Sequence, residues 1–200
     1  MNGININLAV EDPPSEAILR KMLSQLGCRY HVINCLCRGG YGYLKKRIRA
    51  FNKAAQSIPF LILTDLDNSP CPPQMIKSWL DIPKHPNLLF RIAVREVESW
   101  ILADREAIAG FLGISEKKIP DDTDSLPDPK AFLIQLARKS KSRSLREELA
   151  PPSGATSKQG PNYNNRIIAF IRDKWDADAA SQHSRSLRRT LERLRKFEPV

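Results

Sequence analysis

The chain has 200 residues, with 32 Lys and Arg against 22 Asp and Glu and a net charge of +10. That length supports one domain, or one domain with a small appendage, and argues against a second independent core. The basic balance favours a polyanionic partner such as nucleic acid over an acidic one, and the lack of any apolar run near twenty residues excludes a membrane-spanning helix. The first ten residues, MNGININLAV, lack a basic leader followed by a long apolar segment, so a cytoplasmic protein is expected. Cys28, Cys35, Cys37 and Cys71 show no paired CxxC spacing and are expected as reduced core thiols.

In chain order, Ile4, Ile6, Leu8 and Val10 alternate with polar residues as a strand does, and Glu11 stands at the strand's carboxyl end. Asp12, Pro13 and Pro14 turn the chain into a helix whose stripe is Ile18, Leu19, Met22, Leu23 and Leu26, closed by Gly27. Glu16, in its first turn, suits either the helix dipole or a site. Tyr30 to Cys37 is a second strand. The glycines of Arg38-Gly39-Gly40-Tyr41-Gly42 permit close ligand approach without matching a phosphate-loop fingerprint. The next helix carries Lys45, Lys46, Arg47, Arg49 and Lys53, which suit phosphate contacts or a solvated face.

Phe60 to Leu63 is a continuous apolar run, as expected of a central parallel strand, and it leads through Thr64 into Asp65 and Asp67. A short helix around Met75 to Leu80 and a strand over Leu88 to Val94 follow. Strands alternating with helices predict an α/β, Rossmann-like fold: a parallel four-stranded sheet with right-handed crossovers. The fourth strand ends in Arg95, Glu96, Val97 and Glu98 and feeds one long helix, SWILADREAIAGFLG. On it Asp104 interrupts an apolar stripe and needs a cap, a partner or the edge of a site.

Ile119 to Pro129 reads as a polar connector with solvated acids. Beyond it lie a helix over Ala131 to Ala137, a basic stretch from Arg138 to Arg146, the loop PPSGATSKQGPNYN carrying Lys158, and a helix over Arg166 to Trp175. The last helix sets Leu187, Leu191, Leu194 and Phe197 against Arg185, Arg188, Arg189, Arg193, Arg195 and Lys196. It is the best nucleic-acid surface in the sequence. The expected division is an α/β domain over 1–113 and a helical C-terminal extension over 114–200 packed on it.

Glu11, Asp65, Asp67, Glu96 and Glu98 each follow a strand of one sheet, so they should converge where open α/β sheets bind ligands. Crowded carboxylates with no His or Cys among them suit Mg2+ or Mn2+. Two such ions could activate a water and stabilise the leaving oxygen of a phosphodiester, with Lys158 neutralising developing charge.

A strand ending in Glu, here NLAVED, and a later strand ending in DxD, here Asp65-Leu66-Asp67, resemble the TOPRIM domain of topoisomerases, primases and nucleases of the overcoming-lysogenisation-defect family. The resemblance implies a magnesium-binding DxD and an acid, base or ligand role for Glu11. The segments VEDPPSE, LTDLDN, EVESWILAD and GPNYN are closest to small bacterial TOPRIM-related proteins linked with phage and mobile-element defence. By that analogy Glu16, Glu96 and Glu98 supply a second metal site, Lys158 the cation, and a neighbouring ATPase is a candidate partner. Asp12 stands where the family's usual Gly follows the first Glu, and Glu16 lies five residues after Glu11 where four is commoner. The expected activity is a Mg2+- or Mn2+-dependent nuclease, with Lys45, Lys46, Arg188 and Arg189 on the nucleic acid. The alternatives are a module of the same fold that binds nucleic acid or a partner without cleaving, and a haloacid-dehalogenase-like phosphatase, which LTDLDNS also resembles.

Overall fold

Four parallel strands carry the fold, in the order β2-β1-β3-β4: β1 (Ile4–Val10), β2 (Tyr30–Cys37), β3 (Phe60–Asp65) and β4 (Leu88–Ala93). The structure, a computed structural model, describes residues 3–200. β1 and β3 lie at the centre, and their apolar runs are buried on both faces, as a doubly covered parallel sheet requires.

The helices follow from the strand order. The chain moves outward from β1 to β2, then reverses to reach β3 and continues to β4. Right-handed crossovers therefore put α1 (Pro13–Gln25) on one face and α2 (Gly40–Ala54) and α3 (Pro72–Trp79) on the other. Asp12 caps α1 by accepting a hydrogen bond from the Ser15 N–H at 2.9 Å, and prolines occupy the first helical positions.

The remaining helices gather on the α1 face. They are α4 (Val97–Ala103), α5 (Arg105–Leu112), α6 (Pro129–Arg138), α7 (Arg143–Leu149), α8 (Tyr163–Asp173), α9 (Ala177–Ser181) and α10 (Arg185–Arg195). One continuous apolar core runs from Ile6 of β1 to Phe197 after α10, so the C-terminal helices share the core of the sheet. No helix among the described residues is long and apolar enough to cross a membrane.

Three sequence expectations are corrected here. The long helix after β4 is two helices, because Asp104 leaves the helical conformation (φ −81°, ψ 75°) and caps α5 by accepting from the Ala107 N–H at 3.3 Å. Its other oxygen accepts from the Asp176 N–H at 2.7 Å, which joins the break to the start of α9. In the connector, Asp124 is not solvated: its carboxylate accepts from the Ser184 and Ser186 hydroxyls and the Ser186 N–H, fixing the start of α10. The cysteines are all free, but Cys28 is exposed and the other three are only half-buried, so none is a core thiol.

Candidate active site

β1 and β3 are neighbours whose connections leave in opposite directions, and the crevice at their carboxyl ends is where this topology binds ligands. Glu11 follows β1 and reaches across to β3. Its Oε1 accepts from the Thr64 hydroxyl and from the Asp65 N–H at 3.1 Å. Asp65 passes the connection on, because its Oδ1 accepts from the Val97 N–H at 2.9 Å at the start of α4. The second carboxylate oxygens of Glu11 and Asp65 make no hydrogen bond within the described residues.

Beyond β3 the chain turns sharply, with Asp67 in the left-handed region at φ 47°, which Asp tolerates better than most residues. Arg95 clamps the turn. Its carbonyl accepts from the Leu66 and Asp67 N–H groups at 2.9 and 3.0 Å, and its guanidinium donates to the Asp67 and Ser69 carbonyls at 2.9 and 3.2 Å. The Asp67 residue is left exposed.

The third part comes from α4, α6 and α8. Glu98 is 2% exposed; it lies 3.3 Å from the Lys130 ammonium and accepts from the Tyr163 hydroxyl at 3.1 Å. That ammonium also sits over the Tyr163 ring, 5.2 Å from its centroid. Glu96 is half-buried and accepts from the Lys130 N–H at 2.9 Å, which holds the start of α6 against the site. Tyr163 is positioned by the GPNYN segment. Gly160 lies flush on the Glu148 backbone, where any Cβ would collide with the carbonyl oxygen, and Asn162 donates to the Glu148 carboxylate, itself paired with Arg166.

These acids disturb one another. Burial raises the Asp65 pKa well above the ordinary carboxylate value, and Glu98, Glu11, Asp12 and Asp67 push it the same way. Burial also raises Glu11, against the hydrogen bonds from Thr64 and Asp65, while Asp67 and Asp12 add repulsion. Glu98 is raised by burial, with Lys130 opposing and Asp12 reinforcing the shift; Glu96 is raised by burial and by Glu98. Lys130 resists its own desolvation because Glu98, Asp12 and Glu96 hold its proton on. Of Glu11, Asp12, Asp65, Asp67, Glu96 and Glu98, only Glu98 forms an ion pair among the described residues.

Glu11, Asp65, Asp67, Glu96 and Glu98 thus share one end of the sheet. Glu16 is turned away: it pairs with Arg20 one helical turn on and faces Cys35 and Cys37 of β2. Lys158 is exposed in its loop and has no ion pair among the described residues; Lys130 is the lysine beside the acids. Lys45 and Lys46 are exposed on α2, and Arg188 and Arg189 on α10. Sequence reasoning missed Asp12, Lys130 and Tyr163. Asp12 reads as part of the turn after β1 and is the cap of α1, which hid its charge; Asp128-Pro129 was the start signal that would have put Lys130 in the first turn of α6.

The donor chemistry fits a hard divalent ion, being carboxylate oxygen throughout. Among the described residues, however, no three His, Cys, Asp or Glu side chains stand together in metal-holding geometry. Compared with protein-family models, curated proteins and solved structures, the chain matches none.

Proposed function

We propose that the protein is a Mg2+- or Mn2+-dependent nuclease of TOPRIM-like type. The observation that carries this reading is the meeting of carboxylates at the β1/β3 switch point, where Glu11 Oε1 accepts from the Asp65 N–H, Asp67 follows two residues on, and Lys130 is the cation paired with the wider group among the described residues. Such crowding is costly unless protons or a cation relieve it. Glu11, Asp65 and Asp67 would hold the ion, with Glu98 on the far side and Glu96 at the rim. When bound, it would supply an activated water and charge stabilisation at the leaving oxygen.

The chain's own groups have distinct tasks. Glu11, held at one oxygen by Thr64 and Asp65 and raised in pKa by burial, is suited to take up or release a proton. Lys130 favours the ionised form of Glu98 against its burial and would offer positive charge near the scissile phosphate. The exposed basic residues Lys45, Lys46, Arg188 and Arg189 attract the nucleic-acid backbone without reading its sequence. A role in phage or mobile-element defence, with a partner ATPase, belongs to this reading and rests on the resemblance alone.

The test is cleavage of single- and double-stranded DNA and RNA with Mg2+, Mn2+ or EDTA. Glu11→Ala, Asp65→Ala and Asp67→Ala should each lower the metal-dependent rate by about 100-fold or more. Wild-type cleavage by Asp67→Ala would contradict the assignment. A non-cleaving nucleic-acid-binding module is the second reading, favoured by the lack of a preformed three-acid ligand set among the described residues. Salt-sensitive binding with no cleavage under either metal would select it.

A further inference from the structure

A second cleft, of about 390 Å3, opens between α3, the free edge of β4 and the start of α10. It shares no residue with the acid cluster. β4 is the last strand of the sheet, and its odd-numbered residues bond inward: Asn87 and Ala93 carbonyls accept from the Phe60 and Leu66 N–H groups. The backbone of Phe90 and Ile92 therefore faces out, into the cleft. One wall is apolar, from Pro72, Pro73 and Ile76 of α3; the other carries Arg185 and Arg189 of α10, and Arg91 enters from β4.

None of Arg91, Arg185 and Arg189 forms an ion pair among the described residues. Asp122 and Asp124 also line the cleft, but Asp124 is occupied by Ser184 and Ser186. Arg91 is half-buried, its one side-chain hydrogen bond going from Nε to the Thr190 hydroxyl at 3.1 Å. Burial, with Arg193 and Arg189 close by, pulls its pKa down, and burial with Arg193 and Arg91 does the same to Lys84. Desolvated cations crowded in this way are stabilised by an anion that accepts several N–H donors at once.

We propose that this cleft binds a nucleotide, its phosphate held by Arg91, Arg185 and Arg189 and its base laid against Pro72, Ile76 and Ile92. The volume suits a ligand of that size, and the site joins an apolar wall to a few convergent polar groups. An added β-strand from a partner fits less well. The Leu88 carbonyl is already taken by Lys84 and the Leu88 N–H by the His85 carbonyl, so the open ladder is only Phe90 and Ile92 wide. The nucleotide is either free or the 5′ end of a strand; both present the same phosphate and base. The site needs no divalent ion, and so stands or falls apart from the nuclease reading.

Calorimetric titration of the full chain in EDTA tests it, with AMP, adenosine, inorganic phosphate, and a short oligothymidylate with and without a 5′-phosphate. AMP should bind about tenfold or more tighter than adenosine or inorganic phosphate, because only it fills both halves of the cleft. Arg185→Ala and Arg189→Ala, both exposed, should keep the wild-type melting temperature and weaken AMP by about tenfold each. Lys117→Ala, at an exposed lysine outside the cleft, should leave AMP affinity unchanged. Competition by the 5′-phosphorylated oligonucleotide identifies a strand end, and its failure while AMP binds identifies a free nucleotide. AMP binding no tighter than adenosine, or unaltered in both arginine variants, overturns the proposal, as does displacement of AMP by hexaglutamate at equal concentration.

Discussion

Burial and four neighbouring carboxylates all oppose the ionisation of Asp65. A carboxyl whose folded pKa exceeds its unfolded value binds more protons when folded. Its contribution to stability is present below the ordinary value of 3.8 and is lost as pH rises through the raised folded value. Asp65→Asn keeps an oxygen for the Val97 N–H and removes the charge, so it should stabilise the protein at neutral pH by about 1 kcal/mol or more. The gain should shrink toward zero near the ordinary carboxylate pKa, as followed by chemical denaturation at several pH values; a gain independent of pH would refute the conflict. Tyr163→Phe removes the hydroxyl that Glu98 accepts from and should cost about 1 kcal/mol, read from the same curves. The identities of Glu11, Asp65 and Asp67 were legible in the sequence because each follows an apolar strand run. Lys130 and Tyr163 were not, because each lies far along the chain from the acid it meets.

The boundaries of elements depend on side chains that do two jobs. Asp104 looked like an acid stranded on an apolar helix face; it ends one helix, caps the next and holds the start of α9. The expectation of a hydrogen-bonding role was right, and the unbroken helix was wrong, because periodicity alone does not register a cap that interrupts it. Asp104→Ala frees two N–H groups at once and should cost about 2 kcal/mol in denaturant unfolding. Gly160 sets the path of the GPNYN segment by lying against the Glu148 carbonyl. Gly160→Ala must push that contact apart and should cost about 1–3 kcal/mol; a neutral substitution would mean that the segment does not hold Tyr163 in place.

At the scale of the whole molecule, the topology brings the acids together. The strand and helix alternation showed the parallel sheet in advance, and the order β2-β1-β3-β4 puts Glu11 beside Asp65. What the sequence withheld was the face on which each later helix lies, because the apolar stripes of α6 to α10 show that they are buried but not against what. Five arginines and one glutamate lie on α10; under the proposed function, Arg188→Ala with Arg189→Ala should weaken nucleic-acid binding and reduce its dependence on log salt by about 2.

The convergence of Glu11, Asp65 and Asp67 has one direct measurement: Mn2+ titration followed by calorimetry at neutral pH in two buffers of different ionisation heat. Saturable binding is expected, with any protons displaced by the ion read from the difference between the two buffers, and with affinity lost in Asp65→Asn combined with Asp67→Asn. No saturable Mn2+ binding, or equal binding by that double variant, would contradict the metal-centred site.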